Sequence, residues 1–120
     1  MKTENEILEI LAHCTGTTRY HRVSSFPDAP IVTDGIIALA EAAGCYWLLD
    51  VIISHQTNRK LDPSFQVWEL TKNKKGDGAI VRGYNDKTKI VSQRIPFTDF
   101  PLDGIKLYLM EGVIMLPSEY

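Results

Sequence analysis

With 120 residues, 44% of them hydrophobic and 23% charged, the chain has the length and apolar content of one domain that buries roughly two-thirds of its unfolded surface. A formal net charge of −2 and a pI near 5.9 exclude the strongly basic balance of dedicated nucleic-acid-binding domains. No apolar run approaches the roughly 20 residues that span a bilayer, and the acidic start from Met1 to Glu6 is not a secretion signal, so a cytoplasmic single domain over residues 1–120 is expected.

Thr3 followed by Glu6 is a capping box, and Ile7, Leu8, Ile10, Leu11 and Cys14 recur behind it at helical spacing, which predicts a first helix over residues 4–13 closed by Gly16. The β-branched and aromatic run from Thr17 to Val23 suits a short strand, and Pro27 and Pro30 impose an extended connection. Thr33 can cap a second helix, with Asp34 at its positive end, Val32 placed to staple onto Ile37, and Gly44 as its stop. The apolar segment from Cys45 to Gln56 predicts a third helix. From Pro63 onward the period changes to two, giving five expected strands: 65–70, 79–84, 89–95, 105–110 and 113–116. Turns fall at Lys75 to Gly78, at Asn85-Asp86 and at Glu111-Gly112, where Gly112 fits the left-handed conformation. Ile105, Leu107 and Leu109 alternate with Lys106 and Tyr108, marking one covered and one wetter sheet face. The expected fold is therefore α+β in two layers, with N-terminal helices packed on one face of a mostly antiparallel, meandering sheet of about five strands.

Charge is unevenly distributed along the chain. Residues 59–94 hold nine bases against four acids, whereas residues 1–58 hold three against seven. Lys72, Lys74, Lys75, Arg82, Lys87 and Lys89 are the candidate anion-binding set on the expected hairpins, although exposed lysines also keep sheet edges from pairing with other chains.

Asp50 interrupts the apolar run from Gly44 to Ile53. At 100° per residue it shares a helical stripe with Tyr46, Trp47, Ile53 and Ser54, opposite Cys45, Leu48, Leu49 and Ile52. A carboxylate in that setting is either a hydrogen-bonded docking residue at the core edge or the polar anchor of a groove walled by the two aromatics. Asp99, in the turn-like Thr98 to Leu102 segment, can join it only if the fold brings the two acids together. His13, His21 and His55 lack metal-ligand spacing with each other or with Cys14 and Cys45, and Cys45 and His55 stand about 15 Å apart at helical rise, too far for a nucleophile and its base. No metal site, cofactor or disulfide is expected. The terminal Leu116-Pro117-Ser118-Glu119-Tyr120 ends a strand, and its aromatic residue can dock back onto the body, which makes C-terminal tags a poor choice.

The ordered set Thr15-Gly16-Thr17, Thr33-Asp34-Gly35, Ala43-Gly44 with Tyr46-Trp47-Leu48-Leu49-Asp50, Phe65-Gln66-Val67-Trp68, Thr98-Asp99-Phe100-Pro101-Leu102 and Leu116-Pro117-Ser118-Glu119-Tyr120 resembles a family of small uncharacterised bacterial proteins often carried on plasmids and mobile elements. The resemblance spans nearly the whole chain and implies no activity or functional residues. Three functions follow as expectations. The first is a non-enzymatic module for a protein or peptide partner, using Tyr46, Trp47, Asp50, Ser54 and Asp99, with self-association open to it. The second is an anion or nucleic-acid binder using the basic hairpins over 72–94. The third is an enzyme with Asp50 and Asp99 as acid and base.

Overall fold

Thr3 and Glu6 cap the first helix as their spacing requires: the Glu6 amide donates to Thr3 Oγ1 at 3.3 Å, and the Thr3 amide and hydroxyl donate to Glu6 Oε1 at 3.3 and 2.9 Å. The computed structural model describes residues 3–13, 19–25, 29–73 and 77–120. Cys14, Gly16, Thr17, Thr18, Pro27, Lys74, Lys75, Gly76 and the side chains of Leu11 and His13 lie outside the described residues. Helix α1 runs Glu4–His13, α2 Asp34–Ala43 and α3 Tyr46–Ser54, the last continued by a 3-10 turn over His55–Thr57. Thr33 caps α2 by accepting the Ile36 amide at 3.3 Å. Gly44 ends it with φ 62° and ψ 37°, the left-handed conformation that glycine adopts without a Cβ clash.

The strands are β1 (Tyr20–His21), β2 (Ile31–Thr33), β3 (Phe65–Lys72), β4 (Ala79–Asn85), β5 (Thr88–Ile95), β6 (Gly104–Met110) and β7 (Val113–Met115). They form one mixed sheet in the order β1-β2-β7-β6-β3-β4-β5, making the fold α+β. The five expected sheet strands are joined by β1, inside the 17–23 run that suits a strand, and by the unexpected β2. β2 holds only three residues between Pro30 and the start of α2, too few to show a period. Nor is the antiparallel part a simple meander. β6 leaves β5 and returns to pair with β3, giving the Greek-key order β6-β3-β4-β5. The mixed character comes from β2, which runs parallel to β7. The β6–β7 link is a two-residue hairpin with positive φ at both Glu111 (52°) and Gly112 (78°), the signature of a type I′ turn.

Directly paired residues in neighbouring strands point to the same side of a sheet, so the registers sort the strands into two faces. One carries Gln66, Trp68 and Leu70 of β3, Ala79 and Val81 of β4, Leu107 and Leu109 of β6, Ile114 of β7 and Val32 of β2, all buried. The apolar residues among these form one cluster with Ile7 of α1, Ile36 and Leu39 of α2, and Leu48, Leu49 and Ile52 of α3. The cluster is fitted closely. A Cβ added at Gly83 would lie 2.7–2.9 Å from the Trp68 ring, so only glycine lets the indole cross β4.

Candidate functional site

The other face keeps solvent contact at every position of β3 to β7 and at Ile31 of β2, whereas Thr33 of β2 is buried. Its residues fall into rows running across the strands. The first is Ile31, Val113, Met110 and Phe65; the second is Met115, Tyr108, Val67, Tyr84 and Lys89. The third is Lys106, Glu69, Arg82 and Ser92, and the fourth Gly104, Thr71, Ile80 and Arg94. Two apolar and aromatic rows thus lie beside two polar ones. All eight apolar residues of the first two rows that precede Lys89 are half-buried. Phe65, Tyr108 and Tyr120 meet edge to face, with ring centroids 5.4, 5.6 and 6.1 Å apart, and Tyr120 remains 71% exposed. Tyr120 is held there by the turn Pro117–Glu119, whose Glu119 Oε1 accepts from the Thr33 hydroxyl at 2.7 Å and the Leu116 amide at 3.0 Å.

The α3 stripe is in place on the helix surface. Tyr46, Asp50 and Ser54 are exposed and Trp47 is half-buried, whereas Ile53, expected on the same stripe, is buried at its border. Asp50 therefore resolves its apolar sequence setting by pointing to solvent, and no hydrogen bond or ion pair holds it among the described residues. Ser54 donates back to the Val51 carbonyl at 2.7 Å, and the Tyr46 hydroxyl donates to Glu41 Oε1 at 3.4 Å. Partial desolvation and the facing Glu41 carboxylate raise the Tyr46 phenol above its ordinary pKa. Asp99 is exposed in the β5–β6 connection, where Thr98 supplies the turn chemistry by accepting the Phe100 amide at 3.1 Å. No contact described joins Asp99 to Asp50.

The described members of the basic set occupy different places. Lys72 donates to the Phe100 carbonyl at 2.7 Å at one end of β3. Arg82 stands mid-sheet on the open face, and Lys87 and Lys89 lie at and beside the β4–β5 turn, about 20 Å from the Lys72 end at strand rise. Lys74 and Lys75 are outside the described residues.

Two histidines are tied into polar clusters. His21 Nε2 lies 2.5 Å from Asp34 Oδ1, and the Arg19 amide donates to the other carboxylate oxygen at 3.1 Å, binding β1 to the start of α2. His55 stacks on Trp68 at 5.9 Å and meets Gln93 Oε1 at 2.6 Å. Beneath it, Trp68 Nε1 donates to Gln66 Oε1, while Gln56 and Gln66 exchange amide hydrogen bonds at 2.9 Å. Buried amides paired this way fix the end of α3 on β3. Cys45 is a free, buried thiol whose desolvation pushes its pKa up to about 12, which makes it a weak nucleophile. Among the described residues no three His, Cys, Asp or Glu side chains converge as a metal-binding group, and no helix is long and apolar enough to cross a membrane.

Sequence reasoning passed over Phe65, Tyr108, Met110 and Met115 as a site. Alternation over residues 105–109 placed Tyr108 on a wetter face, but only the register joins it to Phe65, Met110 and Met115. The chain belongs to a family described as a family of unknown function (DUF6876), whose model matches residues 5–120. No curated protein and no solved structure matches it.

Proposed function

We propose, for this member of a family of unknown function, a single-domain cytoplasmic binding module without catalytic activity that takes a protein or peptide partner on the open face of its sheet. The bacterial and mobile-element setting rests on the sequence resemblance alone. The observation that carries the reading is the edge-to-face group Phe65, Tyr108 and Tyr120, set in two rows of half-buried apolar side chains on the sheet face opposite the one that joins the core cluster. Aromatic and methionine side chains beside arginine are the composition enriched in recognition surfaces. At about 4.8 Å between strands and about 7 Å between rows, the two rows cover on the order of 300 Å², the size at which a monomer's largest apolar patch is often functional.

The test is selection of binders from a random 16-residue phage-displayed library on the intact protein, followed by titration against variants. Phe65→Ser with Tyr108→Ser should weaken the selected peptides more than ten-fold while far-UV circular dichroism stays unchanged. The α3 stripe of Tyr46, Trp47, Asp50 and Ser54, with Asp99, is the second surface, favoured by the exposure of Tyr46, Asp50 and Ser54. Loss of binding with Tyr46→Ser and Asp50→Asn, and none with the sheet-face pair, transfers the role to it.

A further inference from the structure

Resting on the sheet-face reading above, we infer that the partner is a short amphipathic segment, apolar on one side and acidic along one edge, rather than a second copy of this chain. Size argues first. A stable pair of globular subunits buries about 800 Å² on each side, more than twice the apolar rows present here. The second row spans five strands, about 19 Å between its end residues at 4.8 Å per strand. With its side chains that length suits a helix of about four turns, about 10 Å across, or a strand of six to eight residues. A single element of a partner covers the patch, and a second copy of the sheet would overhang it.

Charge argues second. Lys106 and Arg82 border the apolar rows in the third row, Lys89 ends the second row and Arg94 the fourth, and Glu69, between Lys106 and Arg82, is the one acid in the four rows. Among the described residues none of the four cations is within an ion-pair distance of a carboxylate. The neighbouring acids Asp77, Asp99 and Asp103 sit in the connections beyond the ends of the strands. At the opposite border the charges are mixed, with Asp62, Asp86 and Glu111 against Lys60 and Lys87. A segment whose acids run along one edge therefore has a preferred orientation, carboxylates over Lys106 and Arg82 and apolar side chains over Phe65, Val67 and Tyr108. Such cross-interface charge complementarity sets orientation and association rate more than affinity.

The experiment uses the same 16-residue library on the intact protein, with sequencing of the enriched pool and titration against Arg82→Glu with Lys106→Glu. Support is a pool with net negative charge and at least two large apolar residues, bound ten-fold or more weakly by the charge-reversed variant and more weakly at 0.5 M than at 0.05 M salt. A pool without acidic excess, or one indifferent to charge reversal but lost with Phe65→Ser and Tyr108→Ser, overturns the partner chemistry and leaves the sheet-face reading standing. Peptides that bind the Phe65, Tyr108 variant undiminished, or no enrichment over bare support, overturn both. A fluorescent 15-nucleotide oligo-dT that binds through the same face while acidic peptides do not enrich also overturns both, in favour of single-stranded nucleic acid. If either double variant melts early, Tyr108→Thr and Arg82→Gln replace them.

Discussion

Along β3, Gln66, Trp68 and Leu70 are buried while Phe65, Val67 and Glu69, each one residue away, keep solvent contact. The two sets share strands, hydrogen bonds and register, so backbone does not distinguish them. What differs is the neighbourhood above each face. Trp68 meets His55 and Gly83 and its indole N–H is satisfied by Gln66, leaving no room; Phe65 meets the rings of Tyr108 and Tyr120, which are themselves open to water. A residue's place in the sheet thus sets its direction, and the layer above decides whether it serves folding or recognition.

Truncating Trp68 to alanine should show the contrast at its largest. Removing a fully buried indole and stranding its Gln66 acceptor is expected to destabilise by about 3–5 kcal/mol, read from chemical denaturation. Tyr108→Ala, on the open face, should lose well under half as much, and equal losses would erase the distinction. Gly83→Ala comes next, at about 1–3 kcal/mol, because the new methyl meets a Trp68 ring with nowhere to move. A pH effect also comes from the covered side. The folded Cys45 thiol holds its proton to about pH 12 while the unfolded one releases it near 9, so the stability present below pH 9 should fall as pH rises towards 12, by about 1.4 kcal/mol per unit at most. Cys45→Ala should flatten that part of the pH–stability curve. Asp50→Asn should be the smallest, within about 0.5 kcal/mol in melting experiments, as befits an exposed carboxylate. A larger loss would place Asp50 in the core network after all.

The helices were legible because their signals are local. The Thr3–Glu6 box, the Thr33 cap and the Gly44 stop each lie within four residues of what they control. The four long strands, β3 to β6, likewise announced themselves by alternation, and the three-residue β7 by its apolar run after the Glu111-Gly112 turn. What escaped was long-range: the parallel pairing of β2 with β7 and the return of β6 to β3, neither of which leaves a periodic trace in the chain. The site was legible in part for the same reason. Tyr46, Asp50 and Ser54 could be placed on one exposed stripe from helical geometry alone. The aromatic group needed Phe65, Tyr108 and Tyr120 to be assembled from three segments, and the apolar run around Asp50 drew notice to a residue whose side chain simply turns outward.

Ile31 pairs with Val113, and the Thr33 hydroxyl reaches Glu119 across 86 positions. Ribosomes emit these halves in order, so β2 and the oily side of α2 must wait for their mates while about 80 further residues are added, roughly 4–16 s at 5–20 residues per second. Throughout that interval the apolar side of the N-terminal third lacks its C-terminal cover, and slowing translation should lengthen its vulnerability to proteases.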